Sequence, residues 1–341
     1  MKPGHYTHQE ILSQPEAWTS ALKVLKENRR NISNLDPVHK FTNILFTGCG
    51  STYYLSQAAA SLTQELTGLP ARALPASELW LYPKSSYSGK TLLVAVSRSG
   101  ETTETLRACE TFLADQRGDL LTLSCYGDMP LAKMGALNLV FPSGQEQSVA
   151  QTRAFSTLYL GTVALAALWA GRADLFDSLA RLPEAGTRLL KNYASLGTDI
   201  GRDATIDRFY FLGSGPRYGL ACELSLKMKE MSLSHSEPFH FMEFRHGPKS
   251  MVTNSAVVIG LRSTVNGPHE AAVLEDMKGL GGRIVDMAET GSLVRFEAGL
   301  EEAVQNVLYL PVGQLIAFER SLSKGLNPDQ PANLSSVVIL P

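Results

Sequence analysis

Short apolar runs alternate with amphipathic stretches along most of the chain. Residues 43–47 (NILFT) and 91–96 (TLLVAV) are apolar runs of strand length, and a helical pattern follows each of them. Two further runs, at 120–125 and 137–141, complete a first set of predicted strands. Strands that alternate with helices are typical of a parallel sheet covered on both faces, so we predict an α/β fold.

The second half of the chain repeats this pattern. The run at 208–212 (RFYFL) ends in Gly-Ser-Gly at 213–215, as the first run ends in Gly-Cys-Gly at 48–50. These two turns are 165 residues apart, and the same offset places Glu65 on Glu230, at the ends of equivalent helical patterns. An internal duplication of one α/β unit therefore explains the length better than two unrelated domains do.

The duplication and the patterns around it predict the order of segments along the chain. Residues 8–30 form an amphipathic pattern, and two helical patterns, at about 173–182 and 184–197, connect the two halves. We predict an N-terminal helical segment at 1–35, a first α/β domain at 36–170, a helical connection at 171–200, a second α/β domain at 201–324 and a C-terminal tail at 325–341.

Composition and charge exclude several classes of partner. The 341 residues include 31 Lys plus Arg and 33 Asp plus Glu, a net charge of −2, which offers no broad attraction for nucleic acid or an anionic membrane. The start, MKPGHYTHQEI, lacks the apolar stretch of a signal peptide. The apolar segment 156–170 is shorter than the roughly 20 residues of a membrane span. The four cysteines form no CxxC pair, so we expect a cytoplasmic protein with reduced thiols and no cysteine zinc site.

A run of hydroxyl-bearing residues follows the strand predicted at 91–96. Ser97, Ser99 and Thr102 stand where this strand ends and a helix begins, so their hydroxyls lie beside unpaired backbone N–H groups. Such a turn can bind a phosphate monoester, with Gly100 allowing close approach and Arg98 adding a charge-assisted contact. Helix capping explains any one of these hydroxyls, but the whole run favours anion binding.

The loop after the first predicted strand gives a weaker signal. Tyr53 stands where a GxGxxG dinucleotide fingerprint needs its third glycine, and the Gly-Lys-Ser/Thr of a P-loop is missing. On residues 48–52 alone, a tight turn and a ligand-binding loop are equally supported, and Cys49 is better explained as a small packing residue than as a nucleophile. The absent fingerprint also disfavours a nucleotide- or NAD-binding protein, which the fold class would allow.

A helical pattern in the second half carries acid and base groups on one face. Glu223, Lys227 and Glu230 follow the spacing i, i+4, i+7. A solvated stripe of ion pairs is the ordinary explanation, but the opposite face is apolar and residues 234–249 are dense in titratable groups. Neighbouring carboxylate, ammonium and imidazole groups are typical of proton-transfer sites. The three histidines of that segment, five and six residues apart, match no standard metal-ligand spacing, so we expect no metal.

These motifs resemble a known family. The runs FLGSG at 211–215, ELSLKMKE at 223–230 and RHGP at 245–248 resemble the second SIS (sugar isomerase) domain of glucosamine-6-phosphate synthase. The CGST and SRSGET loops resemble its first SIS domain, SVAQTR at 148–153 resembles its Val-Ala-Ser-Thr-Lys segment, and DQPANL at 329–334 is similar to its tail. The resemblance covers about residues 8–341. It implies two tandem SIS domains, each a five-stranded parallel sheet flanked by helices in three αβα layers.

The resemblance also implies roles for the candidate residues. Glu230 would move a proton between C1 and C2 of a hexose phosphate, Lys227 would stabilise the developing charge, and neither a metal nor a cofactor is needed. His246 would assist ring opening and would come from the neighbouring subunit of a homodimer with shared active sites, while the C-terminal tail would lie over the active site. The residues expected to bind the phosphosugar are Cys49, Gly50, Ser51, Thr52, Ser97, Arg98, Ser99, Thr102, Val149, Gln151 and Glu223.

The chain departs from the synthase pattern at several points. The SIS region begins almost at once, so we expect no glutaminase domain and no complete glutamine-dependent synthase. Ser336 stands at the position of a tail lysine that forms an imine with the ketose, which excludes imine chemistry there. Gln151 replaces a family serine, and Arg98 replaces a glutamine, as it does in stand-alone SIS-type amino-sugar-phosphate deaminases and isomerases.

The sequence therefore predicts an enzyme of carbohydrate-derivative metabolism, either a phosphosugar aldose–ketose isomerase or an amino-sugar-6-phosphate deaminase. The alternative is a non-catalytic phosphosugar-binding sensor, which Ser336 in place of the lysine motivates. The acid and base set of the enzyme is otherwise complete, and this favours the catalytic interpretation.

Overall fold

The computed structural model describes residues 2–340 and divides them into two compact units. The N-sheet unit comprises residues 16–146, 153–180 and 335–340, and the C-sheet unit comprises residues 2–15, 147–152 and 181–334. Each unit contains one five-stranded sheet in which every pair of neighbouring strands is parallel.

The helices that flank the two sheets have the following bounds in chain order. They are α1 (His5–Leu12), α2 (Gln14–Leu35), α3 (Pro37–Lys40), α4 (Ser51–Thr67), α5 (Ala76–Leu81), α6 (Pro83–Ser86), α7 (Thr103–Ala114), α8 (Arg153–Trp169), α9 (Ala173–Ser178), α10 (Leu182–Asn192), α11 (Ala194–Gly201), α12 (Pro216–Ser232), α13 (Phe241–Phe244), α14 (Gly267–Gly279), α15 (Glu302–Gln305) and α16 (Leu310–Ser323). Short 3-10 helices cover Pro130–Lys133, Pro142–Gly144, Leu179–Arg181, Pro248–Met251 and Asn306–Tyr309.

The sheet of the N-sheet unit has the strand order β2-β1-β3-β4-β5. Its strands are β1 (Asn43–Gly48), β2 (Ala71–Pro75), β3 (Thr91–Ser97), β4 (Gly118–Ser124) and β5 (Leu137–Val140). Every residue of the central strand β3 is buried, as is typical of a parallel sheet with helices on both faces. Since apolar side chains on both faces are covered, β3 appears in the sequence as a continuous apolar run rather than an alternating one.

The sheet of the C-sheet unit has the same order, β7-β6-β8-β9-β10. Its strands are β6 (Arg208–Gly213), β7 (His235–Phe239), β8 (Ala256–Leu261), β9 (Arg283–Ala288) and β10 (Val294–Arg295). The prediction of an α/β fold with two five-stranded parallel sheets flanked by helices is confirmed.

The two sheets also share their register over three strands. Ile44 pairs with Leu92 between β1 and β3, and Phe209 pairs with Val257 between β6 and β8, each 165 residues further along. The same offset relates the pairing of β1 with β2 to the pairing of β6 with β7. The turns that follow β1 and β3 therefore have counterparts after β6 and β8.

Two of the predicted helical patterns contain a break that was not predicted. The pattern at 8–30 is divided between α1 and α2, and the pattern at 184–197 is divided at Tyr193 between α10 and α11. The break predicted near residue 183 is confirmed to within two residues, since the 3-10 helix Leu179–Arg181 ends where α10 begins. Pro15 and Pro183 both lie in the first turn of a helix, where a missing N–H breaks no helical hydrogen bond. Pro15 thus marks the boundary between α1 and α2, and Pro183 marks the boundary between the 3-10 helix Leu179–Arg181 and α10.

The longest apolar segment of the sequence forms a buried helix. It lies in α8, where nearly every side chain is buried within the N-sheet unit. None of the helices described within residues 2–340 is both long enough and apolar enough to cross a membrane.

Candidate active site

Three hydroxyl groups meet where β3 ends and α7 begins. The Oγ of Ser97 and the Oγ of Ser99 each lie 3.4 Å from Oγ1 of Thr102, the residue that precedes α7. The backbone N–H of Gly100 donates to Ser97 Oγ at 3.1 Å, and its φ of +76° is readily adopted by glycine. We call residues 97–102 the serine loop. Its hydroxyls lie at the positive end of a helix dipole, as an anion site requires.

The loop between β1 and α4 lies at the same edge of the sheet. Thr47 pairs with Ala95, so the carboxyl ends of β1 and β3 are adjacent. Gly50 has a φ of +55° and a ψ of −121°, a conformation that residues with a Cβ rarely adopt. Thr52 Oγ1 accepts a hydrogen bond of 2.9 Å from the N–H of Cys49 and fixes this turn. The structure thus brings residues 49–52 and the serine loop to one sheet edge.

The environment of Cys49 fits a packing residue. Its Sγ lies 3.5 Å from Oγ1 of Thr105, and the side chain packs against the core of the N-sheet unit. Burial is the main cause of a raised pKa of this thiol. A thiol with a raised pKa is protonated at neutral pH, and it is therefore a poor nucleophile.

Arg98 is held by groups of its own unit. Its guanidinium lies 3.4 Å from a carboxylate oxygen of Glu146, which is fully buried, and it also donates a 3.0 Å hydrogen bond to the carbonyl of Ser336. Glu146 balances the charge of this buried arginine. Glu146 was not predicted from the sequence, and its position two residues before the motif at 148–153 is the one signal that marks it.

The end of the chain lies against the first turn of α7. The N–H of Thr103 donates to the carbonyl of Val338 at 3.3 Å, and the N–H of Leu340 donates to Oγ1 of Thr103 at 3.1 Å. Together with the contact between Arg98 and Ser336, these bonds place residues 336–340 beside the serine loop. The serine that stands at the family's lysine position is thus anchored through its backbone.

The acid and base residues of α12 form a buried cluster. Lys227 lies between two carboxylates: its Nζ is 3.4 Å from Glu223 Oε1 and makes a hydrogen-bonded ion pair with Glu230. Glu223 and Lys227 are fully buried, because α12 packs against α16, β6 and β7, whereas the side chain of Glu230 is 19% exposed. The three residues are therefore not a solvated stripe of ion pairs.

Electrostatics keep Lys227 charged inside the protein. Burial by itself lowers the pKa of an ammonium, but the charges of Glu223 and Glu230 outweigh it and raise the pKa of Lys227. The cluster therefore offers a fixed positive charge next to Glu230, a carboxylate that is still accessible. That arrangement can remove and return a proton while it stabilises a neighbouring oxyanion.

The histidine-rich segment that follows β7 is anchored by aromatic residues and has an exposed outer side. Phe241 and Phe244 of α13 are buried, whereas His246 and Lys249 are exposed on the surface of the C-sheet unit. His240 stacks on the ring of Tyr218 with the centroids 3.8 Å apart. Within residues 2–340, no cluster of three or more His, Cys, Asp or Glu side chains could hold a metal ion.

The segment that carries Val149 and Gln151 belongs to the C-sheet unit. The N–H of Val149 donates to the carbonyl of Asp329 at 3.0 Å, and Glu10 accepts a hydrogen bond from the N–H of Ser148 at 3.3 Å. Oε1 of Gln151 is buried and has no hydrogen-bond partner among the residues that the structure describes. Glu10 was not predicted from the sequence, because its role depends on contacts with the distant residues Gln147 and Ser148.

Comparison with known proteins identifies the family. Residues 39–168 match the family model of the SIS domain. The chain therefore contains a SIS domain over these residues, and the resemblance recognised in the sequence is confirmed.

Individual relatives extend this likeness beyond the matched domain. The chain is 31% identical to the isomerizing glutamine–fructose-6-phosphate aminotransferase of Pseudomonas putida, over 98% of this chain and 58% of that protein. The crystal structure of glucosamine-6-phosphate deaminase from Thermotoga maritima has a TM-score of 0.75 at 25% identity and covers 94% of this chain and 100% of that one. Tagatose-6-phosphate ketose/aldose isomerase from Escherichia coli shares the fold, with a TM-score of 0.87 at 23% identity, 100% of this chain and 99% of that one. The chain thus spans less than two thirds of the length of the curated relative.

Proposed function

We propose that the protein is an enzyme that acts on a hexose phosphate, as an aldose–ketose isomerase or an amino-sugar-6-phosphate deaminase. The observation that carries this proposal is the cluster on α12, in which Lys227 is buried between Glu223 and the accessible Glu230. A charged cluster of this kind is costly to bury, and active sites are where such clusters occur. We also propose that residues 201–324 form a second SIS domain.

The serine loop supplies the phosphate-binding part of the proposal. Three hydroxyls lie together at the start of α7, where the Oγ atoms of Ser97 and Ser99 are each 3.4 Å from Oγ1 of Thr102. Two more hydroxyl residues, Ser51 and Thr52, follow the end of the adjacent strand β1. Hydroxyls and N–H groups at a helix start match the acceptor oxygens of a phosphate monoester. In this arrangement Arg98 contributes by holding the loop to Glu146 and to the tail.

The α12 cluster supplies the proton transfer. Glu230 removes the proton from one of the carbons C1 and C2 and returns it to the other, and Lys227 stabilises the oxygen of the enediolate between the two steps. Glu223 keeps Lys227 charged and in place. In the deaminase reaction the same transfer converts the C2 amine into an imine, which water hydrolyses to a ketone and ammonia.

His246 is the proposed group for ring opening. The resemblance assigns this role to a histidine from the neighbouring subunit of a homodimer, and His246 is exposed on its own unit, where a second subunit can reach it. The proposed partners are accordingly a hexose phosphate and a second copy of the chain. We propose that the protein acts in the cytoplasm.

The names of the relatives agree on the class of substrate. They specify glucosamine 6-phosphate for the deaminase, tagatose 6-phosphate for the isomerase and fructose 6-phosphate for the aminotransferase. All three are hexoses esterified at the oxygen of C6, which supports a site that binds the phosphate and acts on C1 and C2.

A substrate panel tests the proposal. The protein is incubated with glucosamine, fructose and tagatose 6-phosphates while ammonia and newly formed aldose are measured. We expect turnover of at least one compound, a loss of about 10²- to 10⁴-fold in Glu230→Gln, and near-normal turnover in Glu237→Gln, which changes a half-buried carboxylate of the same unit. Thermal stabilisation by these sugars without turnover would instead support the non-catalytic sensor. The absence of both binding and turnover would contradict the proposal altogether.

A further inference from the structure

The C-sheet unit contains a counterpart of the serine loop. β8 ends at Leu261, and the loop at 262–266 leads into α14 as the serine loop leads into α7. The 165-residue offset that relates the strand registers places Thr264 where the serine loop has Ser99. It also places Arg217, in the first turn of α12, where the neighbouring loop has Thr52.

A carboxylate of the same unit occupies this second loop. Oε1 and Oε2 of Glu302 each accept a hydrogen bond of 3.1 Å from the hydroxyl of Ser263. Oε2 also accepts from the N–H of Thr264 at 2.7 Å and from the N–H of Val265 at 3.3 Å. Arg217 donates to the other oxygen in a close ion pair. One carboxylate thus receives two backbone N–H groups, a hydroxyl and a guanidinium.

The surroundings make this a built anion site rather than an exposed ion pair. Arg217 and Ser263 are each 3% exposed. A second carboxylate, that of Glu270, lies 3.9 Å from the guanidinium and accepts a hydrogen bond from the N–H of Ser263. Burial raises the pKa of Glu302, but Arg217 and the N–H of Thr264 outweigh it, so its pKa is lowered and the carboxylate is ionised at neutral pH.

We propose that the loop at 262–266, with Arg217, is a second anion site built on the plan of the serine loop, and that Glu302 is its permanent ligand. The carboxylate takes the position that a phosphate group would take, with its oxygens accepting from the same kinds of donor. Because an attached ligand is always present, the C-sheet site is closed to free phosphate esters. This inference rests on the proposed function for the analogy with the serine loop, and it implies one phosphosugar site per chain.

A carboxylate that belongs to the protein itself can also hold the start of α12 in place. Arg217 is the second residue of α12, and the later turns of the same helix carry Lys227 and Glu230. A ligand that left with each catalytic cycle would release the start of this helix. Glu302 holds it continuously, and it thereby positions the acid and base groups at the other end.

Counting bound phosphate tests the inference. Equilibrium dialysis with labelled inorganic phosphate is carried out on the wild type, on Glu302→Ala and on Glu319→Ala, which removes a carboxylate paired with Arg202 elsewhere in the unit. We expect Glu302→Ala to bind one more phosphate per chain than the other two proteins. Adding Arg217→Gln to Glu302→Ala should abolish this gain. A folded Glu302→Ala protein with no additional phosphate would overturn the inference.

Two features keep the test decisive. If Glu302→Ala does not fold, Glu302→Ser, which keeps a small polar side chain but leaves the loop open, replaces it: phosphate should raise its Tm more than it raises that of the wild type, and equal shifts would refute the inference. The readout is the increment over the wild type. A wild type that binds no phosphate would therefore contradict the proposed function, while a gain in the variant would still support the second site.

Discussion

Replacing Lys227 by methionine tests whether the α12 cluster is the buried ion pair that the structure describes. The substitution keeps most of the side-chain volume but removes the cation that lies 3.4 Å from Glu223, a fully buried carboxylate. Removing one partner of a buried pair strands the other charge and destabilises a protein by about 3–5 kcal/mol. We expect Lys227→Met to lower the free energy of unfolding by this amount at pH 7.

Equilibrium urea unfolding followed by far-UV circular dichroism measures the effect, with Lys229→Met as the matched control. Lys229 is exposed on the same helix, so its substitution should change the free energy of unfolding by no more than about 0.5 kcal/mol. Adding Glu223→Leu to Lys227→Met should restore most of the lost stability, because an apolar pair needs no desolvation of charge. The reasoning is refuted if Lys227→Met costs no more than Lys229→Met.

Three further predictions concern the N-sheet unit. Thr102→Val removes one hydroxyl and keeps the shape of the side chain, and it should raise KM for the phosphate ester by about 10- to 100-fold with little change in kcat. The reason is that hydrogen bonds to charged groups contribute about 1.5–3 kcal/mol. An unchanged KM would exclude the hydroxyl from phosphate binding. Gly50→Ala should lower the free energy of unfolding, measured by urea titration, by about 1–3 kcal/mol, because the φ of +55° and ψ of −121° strain any residue with a Cβ. A variant as stable as the wild type would contradict this turn geometry. Cys49 should react with iodoacetamide at pH 7 more slowly than the free thiol of glutathione does, as measured by mass spectrometry, since its raised pKa leaves less thiolate at that pH; labelling as fast as that of glutathione would show an activated thiol.

The strands and their turns could be predicted from the sequence because their signals are local. The apolar runs at 91–96 and 208–212 became β3 and β6 to within one residue, and glycine marks the turns after β1 and β6. The helix break predicted near residue 183 is a signal of the same local kind, because Pro183 lies in the first turn of α10. The break at Tyr193 was not predicted, because neither proline nor glycine stands at it.

The sequence predicted the spacing within the candidate site but not its burial. The interval between Glu223, Lys227 and Glu230 put the three side chains on one face, yet only the packing of α16 and the sheet around α12 shows that two of them are buried. No hydrophobic pattern predicts this, since a helix covered on several sides loses its amphipathic period.

Contacts between distant parts of the sequence were beyond prediction. The partners of Arg98 and Arg217, Glu146 and Glu302, lie 48 and 85 residues away. Such pairs form because the ends of parallel strands converge at one sheet edge, and no local pattern of residues records which charges meet there. The contact of Glu302 with the loop at 262–266 therefore could not be predicted from the sequence.

Hydrogen exchange at the substrate tests the central claim, that the carboxylate of Glu230 moves a proton between C1 and C2. Fructose 6-phosphate and glucosamine 6-phosphate are incubated in D2O with the wild type and with Glu230→Gln, and deuterium at C1 and C2 is followed by NMR. The account predicts that the wild type incorporates deuterium into at least one of the two compounds, and that Glu230→Gln binds the same compound without incorporating any. A variant that exchanges as fast as the wild type would show that another group transfers the proton.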